Sequence, residues 1–228
     1  MPHFKILARA TAVISLFALA STARADQVRS AVSVLTPPTP CSPAYSFDRT
    51  IDQSGLSVGY TSGVTDFATY IGANPRHIAS NGPPNFSCTF DTSRTVDYDL
   101  GAAFTIKQLA FWQYPFAQAG PIINFQVFTS NNAGFVGATL VGSFTALIDG
   151  TGTGGFGTGA QVFTLTNSDA RYLRMNVLSI DPGSTGYGWS EVAFDAGIVG
   201  TTVPEPATLL MTAIGLVGAV VARRRQRS

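Results

Sequence analysis

Arg171-Tyr172-Leu173-Arg174-Met175-Asn176-Val177 alternates without a break between apolar and polar side chains. Successive residues of a strand point to opposite sides, so Leu173, Met175 and Val177 share one face and Tyr172, Arg174 and Asn176 the other. The same pattern recurs upstream. In Ile122 to Ser130, Phe125 and Val127 face one way and Asn124 and Gln126 the other. Thr95 to Leu100 ends at Gly101 and leads into Phe104 to Gln113, where Phe104, Ile106, Leu109, Phe111 and Trp112 slip out of alternation near Lys107, as at a bulge. Trp112, inside this run, reads as core. Ala138 to Thr145, Gln161 to Thr166 and Gly188 to Ala196 are further strands. Short strands between Gly, Asn and Asp turns, with sixteen Phe and 12% charged residues, indicate an all-β antiparallel sandwich or jelly roll. Periodicity alone does not choose between the two.

Ahead of these strands the pattern is weaker. Asp26 to Pro43 reads as a linker, with Pro37, Pro38, Pro40 and Pro43 marking extended chain. From Ala44 to Phe90, β-prone pieces (Leu56 to Tyr60, Phe67 to Ile71, His77 to Ser80) lie between turn clusters such as Asn81-Gly82-Pro83-Pro84, and no periodic helix is expected. Gly150 to Ala160 lacks the Gly-Lys-Ser/Thr ending of a nucleotide loop and reads as a flexible connection.

The two ends carry different signals. His3, Lys5 and Arg9 precede an apolar run from Ala10 to Ala20, and Ala23-Arg24-Ala25 has the small-x-small form of a signal peptidase site, with cleavage expected after Ala25. At the other end Val203-Pro204-Glu205-Pro206 is followed by sixteen uncharged residues, Ala207 to Ala222, and then by Arg223-Arg224-Arg225-Gln226-Arg227-Ser228. Sixteen helical residues span about 24 Å, slightly short of a bilayer core of about 30 Å. Flanking arginines relieve such a mismatch and favour the cytoplasmic side. Pro204 and Pro206 fix φ and hold an extended segment that a protease can grip.

This order of parts resembles the PEP-CTERM sorting signal of Gram-negative bacteria. The resemblance implies that an exosortase, a membrane-embedded cysteine transpeptidase, recognises Pro204-Glu205-Pro206 and removes the tail, with Glu205 as a substrate residue. The expected course is export through the inner membrane, transient anchoring, and release to the cell surface or extracellular matrix.

The expected organisation is signal peptide 1–25, linker 26–43, β-sandwich 44–197, linker with the Pro-Glu-Pro motif 198–206, membrane helix 207–222 and basic tail 223–228. Of the fourteen basic residues, three precede the cleavage site and four lie in the tail; the seven that remain face twelve acids, so the mature domain carries about −5. Without a basic face, nucleic acid is excluded as a partner. Cys41 and Cys88, the only cysteines, read as a disulfide in an exported chain.

A second resemblance rests on motifs that share one order. Asp97-Tyr98-Asp99-Leu100-Gly101 is similar to the Asp-Leu-Gly strand end of the discoidin (coagulation factor type C) family, and Phe104-Thr105-Ile106 to the start of its next strand. Phe125 to Asn132 resembles its strand into a Ser-x-Asp-Gly turn, Ala170 to Met175 its Arg-Tyr-Val-Arg-Ile strand, and Trp189 to Phe194 its Glu-containing closing strand. The resemblance spans about residues 43 to 197 and implies a galactose-binding-like jelly roll. Two features depart from the family. Its members often staple their termini with cysteines, whereas Cys41 and Cys88 both lie in the first half, and its opening motif is only echoed in Ile51 to Gly55.

In carbohydrate-binding relatives a structural calcium sits between the opening loop and the acid of the last strand. Residue by residue this transfers to Glu191 and Asp52, oxygen donors of the kind calcium requires; the alternative is that Glu191 is a hydrogen-bonded strand residue. Asp99 and Arg174 are expected to support the fold through turn hydrogen bonds or an ion pair. A sugar site needs an aromatic platform and planar polar groups. Candidates are Tyr114, Phe116, Tyr187 and Trp189 with Arg76, His77 and Asn81, although Trp189 equally suits the sandwich edge. His77 is the only histidine after the signal peptide and no nucleophile elbow exists, so no catalysis is expected. The expected function is non-catalytic binding of glycan, such as exopolysaccharide; the alternative is a purely structural matrix protein.

Overall fold

The computed structural model describes residues 26–77, 87–113, 120–148 and 158–199. The expected signal peptide with Ala23 and Ala25, the motif at Val203 to Pro206 and the membrane helix lie outside the described residues, as do Tyr114, Phe116 and Asn81. Among the described residues no helix is long and apolar enough to cross a membrane.

The elements in chain order are β1 (Gln27–Arg29), β2 (Ser33–Val34), α1 (Phe67–Gly72), β3 (Arg76–His77), β4 (Thr95–Gln113), β5 (Ile122–Ser130), β6 (Thr139–Thr145), β7 (Thr158–Gly159), β8 (Gln161–Ile180) and β9 (Trp189–Ile198). Seven strands form one hydrogen-bonded sheet, six of them in the path β1-β9-β4-β8-β5-β6 and β2 added to β4. All of its ladders are antiparallel.

The path folds into two layers because β4 and β8 each serve both. Residues 95–99 of β4 pair with 172–176 of β8, and residues 104–111 pair with 161–170; the register shifts between Asp99 and Phe104. Gly101 sits in that gap at φ +82°, a conformation that side-chain-bearing residues avoid. A second shift between Ile106 and Gln108 is the bulge expected near Lys107. One layer is therefore β2, the first half of β4, the second half of β8, β5 and β6. The other is β1, β9, the second half of β4 and the first half of β8.

Their inner faces meet. Tyr98 of one layer packs edge-on to Phe194 of the other, centroids 6.0 Å apart, and Phe111 stacks on Phe125 at 5.6 Å. Leu173, Met175 and Val177 are buried in this core, as their alternation requires, beside Val96, Val127 and Val192. Each such side chain contributes about 1.5–3 kcal/mol through burial.

The other layer is covered on its outer side as well. Ala110, Trp112 and Ala193 face a second apolar cluster with Val28, Tyr60, Phe67 and Tyr70. Trp112 is core, and its indole N–H donates to the carbonyl of Pro75 at 2.9 Å. The cover corrects the expectation for Phe67 to Ile71, which is helix, not strand. Asp66 caps α1 by accepting from the Thr69 N–H at 2.7 Å, and Phe67 and Tyr70, three apart, bury together. Leu56 to Tyr60 is not a strand either; Leu56 makes one isolated bridge, to His77.

The expected linker 26–43 is also corrected. β1 pairs with β9 through Gln27 and Ala196, and β2 pairs with β4 through Ser33 and Asp99. Val28 is fully buried, so the sandwich begins near Asp26. Prolines without an N–H to offer disguised a segment that lies along the sheet. Cys41 and Cys88 form a disulfide, Cα atoms 5.5 Å apart, and the Cys41 N–H donates to the Cys88 carbonyl at 2.8 Å.

Closing a loop with a sequence separation of 47 constrains the unfolded chain by about 4 kcal/mol in the chain-entropy account. Cys41→Ser/Cys88→Ser is expected to lower the unfolding free energy by that amount, moving the urea midpoint to lower concentration. A midpoint equal to that of the oxidised protein would show that the bridge contributes no stability.

Candidate functional site

Glu191 lies on β9 opposite Trp112 and is fully buried. Its Oε2 accepts from the Gln53 N–H at 3.1 Å, while Oε1 has no partner among the described residues. Burial, and secondarily the Asp52 carboxylate, push the Glu191 carboxyl well above its ordinary range. Asp52 opens the turn that delivers Gln53. Its Oδ1 accepts from the Ser54 N–H at 2.8 Å and its Oδ2 takes Arg49 at 3.2 Å. Gln53 adopts φ 62°, held there as its side-chain oxygen accepts from the Tyr60 N–H at 2.8 Å. The structure thus brings together Glu191 and Asp52, 139 residues apart in the chain. Gln53 and Ser54, whose buried hydroxyl is also unpartnered, belong to the same place and went unread, because a main-chain donor leaves no trace in residue type.

The residues expected to hold a sugar are mostly enclosed. Trp189 is fully buried; its indole N–H donates to the Tyr98 hydroxyl at 3.1 Å and its ring meets Phe47 edge-on at 5.1 Å. Tyr187 is 2% exposed, lies parallel to Trp189 at 6.2 Å, and donates its hydroxyl hydrogen to the Ser93 carbonyl. Neither ring offers a free face, which corrects both assignments. The cause is a close backbone approach. Residues 87–89 run along 187–189, with Ser87 N–H to Trp189 O at 3.0 Å and Thr89 N–H to Tyr187 O at 2.8 Å. Gly188 allows this, since a Cβ there would meet the Ser87 carbonyl oxygen at 2.0 Å. His77 is 1% exposed with Nε2 bonded to the Ser54 carbonyl at 2.8 Å, and is likewise structural. Arg76 is exposed at the edge where β3 meets β7.

Asp99 and Arg174 each make an ion pair within the fold, though not with each other. Arg174 donates to both oxygens of Asp97 at 2.6 and 2.7 Å, and Arg171 to both of Asp99 at 2.8 Å. The Arg171 bond holds the Asp99 carboxyl below its usual range. The two acids are therefore committed and do not form a catalytic pair.

Arg174 also lines a depression on the outer face of the β2-β4-β8-β5-β6 layer that sequence reading did not find. It has a volume of about 380 Å³ and is lined by Thr95, Phe128, Phe135, Ala138, Arg174 and Asn176, with Gly137 at its end. Gly137 also borders a polar depression of about 440 Å³ that includes Asn132, Thr139 and Ser168. The strand residues were readable as an outward row, since Phe128 pairs with Arg174 and Thr95 with Asn176 across the sheet; the loop that walls them was not.

On the far side, Asp195 of β9 is 5% exposed and its Oδ1 is unpartnered. Lys107 is taken by Asp26, at 2.6 and 2.7 Å. Burial first, then the carboxylates of Asp26 and Asp66, push Asp195 up to about 6 against the opposing pull of Lys107.

With this geometry the chain is an antiparallel β-sandwich whose last strand carries a buried acid facing its opening turn. The particular sequence that follows the sandwich is recognised directly: residues 202–226 match the PEP-CTERM protein-sorting motif. The motif marks an exported, transiently membrane-anchored protein subject to exosortase processing. No curated protein matches the chain in sequence. Among solved structures it is similar to a truncated AlyQ with CBM32 and alginate lyase domains (19% identity, TM-score 0.49), covering 75% of this chain and 33% of that one. It is similar to CBM32-3 from a family 31 glycoside hydrolase of Clostridium perfringens (13%, TM-score 0.48; 74% and 90% covered). It is also similar to the CBM32 of AlyQ in complex with 4,5-unsaturated mannuronic acid (15%, TM-score 0.44; 73% and 96%). The chain spans a third of the AlyQ chain with both domains.

The raised Asp195 has a consequence for stability. The folded chain holds that proton more tightly than the unfolded chain, whose carboxyl titrates near 4, so the stability linked to it is full below about pH 4 and lost as pH rises through 6. Asp99 acts oppositely, stabilising at neutral pH and failing only in stronger acid. Tm is expected to rise as pH falls from 7.5 to 5.5. Asp195→Asn should stabilise at pH 7.5 by on the order of 1–2 kcal/mol and flatten that part of the profile. An unchanged profile in the variant would refute the assignment.

Proposed function

We propose that this is an exported, non-catalytic β-sandwich module that binds carbohydrate outside the cell, exopolysaccharide in particular, after exosortase has removed its anchor. A signal peptidase cut after Ala25 and a final place at the cell surface or in the extracellular matrix belong to the same reading. The observation that carries it is the meeting of Glu191, from the closing strand, with Asp52 of the opening turn. The discoidin resemblance leads one to expect that meeting, since in many carbohydrate-binding relatives a structural calcium sits between the opening loop and the acid of the last strand. The sorting motif supports the destination.

The residues present fit a structural calcium ion. Glu191 has a buried, unpartnered carboxylate oxygen, the Asp52 carboxylate lies close enough to raise it, and the Ser54 hydroxyl is buried without a partner. Hard oxygen donors of this kind suit calcium. No group of three or more His, Cys, Asp or Glu gathers among the described residues, so Glu191 and Asp52 would be its charged ligands, with neutral oxygens completing the shell. Bound calcium would supply the positive charge that lets Glu191 ionise in a dry setting. Glu191 and Asp52 would then tie the closing strand to the opening turn.

Calorimetric titration of the processed protein with calcium is expected to show one site, lost in Glu191→Gln, with a proton released wherever the acid is protonated before binding, because it must ionise to bind. The same protein is expected to bind fractionated exopolysaccharide from the producing cells saturably. Absence of polysaccharide binding, with the calcium site intact, would replace the glycan reading by that of a purely structural matrix protein.

A further inference from the structure

The depression on the outer face of the β2-β4-β8-β5-β6 layer is built with care at its fixed points. Arg174 uses Nε and one terminal nitrogen on Asp97, which is 2% exposed and also accepts from the Thr36 hydroxyl at 3.0 Å. The Phe135 ring lies over the guanidinium, its centroid 4.1 Å from the central carbon. The group is thus held in one plane by a salt bridge on one edge and a ring on one face. Its other terminal nitrogen, Nη1, makes no hydrogen bond among the described residues and lies on the edge away from Asp97.

Phe135 holds this position at φ +56°, a backbone state that costs a bulky residue of order 1–3 kcal/mol. Burial of the ring and its contact with Arg174 offset that cost. The strain therefore sits at the residue that fixes the guanidinium and walls the depression.

The same depression is lined by half-buried Phe128, by Asn176 and by Thr95. The Asn176 amide has only a long bond, 3.4 Å, to Gln126. An aromatic surface next to an amide, a hydroxyl and a fixed guanidinium donor is the chemistry that recognises a pyranose, whose C–H face is apolar and whose rim is hydroxyl. The volume of about 380 Å³ falls in the range of about 300–1,000 Å³ typical of small-ligand sites. Charge selects among sugars. Asp97 neutralises Arg174 and Asp99 neutralises Arg171, so the face offers directed donors without net positive charge. An acidic sugar gains little there and meets a domain of net negative charge.

We infer that the Phe128, Asn176 and Arg174 face is a binding site for a neutral pyranose, extended past Gly137 toward Asn132 and Thr139 for a second ring. This rests on the carbohydrate reading above and gives it a place. Among the described residues, no loop candidate named from sequence belongs to it.

The test is nuclear magnetic resonance titration of the processed, isotope-labelled protein with lactose, cellobiose and digalacturonic acid. A neutral disaccharide is expected to shift the amides of Phe128, Phe135, Ala138 and Asn176 with a Kd of order 1 mM, little changed between low and high salt. Ala138→Trp, which fills the depression without removing a bond, should weaken binding by about tenfold or more, as should Asn176→Ala. Each variant's amide spectrum elsewhere reports whether it has folded. Shifts confined to Arg76 and residues 114–119 would overturn this site while leaving glycan binding standing. Tighter, salt-sensitive binding of digalacturonic acid would overturn the neutral class. Failure of every sugar, together with failure of the native polysaccharide, would overturn both readings.

Discussion

The pairing of β4 with β8 is the constraint on which the rest depends. It runs through residues 95–111 of one strand and 161–176 of the other, and every other strand of the main sheet except β1 and β6 adds directly to one of the two. A ribbon that crosses from one layer to the other must place its inward residues correctly on both sides of the crossing. A slip of one position would send Leu173, Met175 and Val177 to solvent and Tyr172, Arg174 and Asn176 into the core. The register shifts at Gly101 and near Lys107 absorb the turn locally, so the alternation resumes in phase on each side.

Electrostatics follow from the same ribbon. The outer face of one layer carries Asp97 on β4 opposite Arg174 on β8, and Asp99, beside the register shift, is held by the side chain of Arg171. Two exposed ion pairs would contribute little, but Asp97 and Asp99 are nearly covered and each is held by two bonds. Removing one arginine would leave a covered carboxylate uncompensated, a larger loss than the pair itself contributes. The opposite layer lacks such compensation. Glu191 and Asp195 on β9 keep unpartnered oxygens, and both are shifted toward the neutral form. One face is finished by its own charges, while the other holds acids in reserve.

How much of this was legible in the sequence depended on the range of the forces involved. Alternation at 122–130 and 171–177 reported the core directly, because a strand half buried in a sandwich leaves a period of two. The slip near Lys107 reported the bulge. Phe67 to Ile71 misled because its aromatic and β-branched residues suit a strand, whereas the Asp66 cap and the burial of Phe67 with Tyr70 decided for helix. The proline-rich start misled in the opposite way, reading as free chain where it joins the sheet. At the site, Glu191 and Asp52 were legible through motif order, but Tyr187 and Trp189 were not. Their enclosure depends on residues 87–89, a hundred positions away, and on the absence of a side chain at Gly188. Long-range cover of that kind has no local signature.

The position of the disulfide bears on the order of events in export. A bridge between the two ends of a domain cannot close until the whole chain has crossed the membrane. Cys41 and Cys88 both precede β4, so in export led by the proposed signal peptide both would cross before the strands from β5 onward. Oxidation can then fasten the first third of the chain before its partners arrive. The bridge becomes a brace set before the roof is raised, and the late strands find the edge formed by residues 87–89 already in place to cover Tyr187 and Trp189.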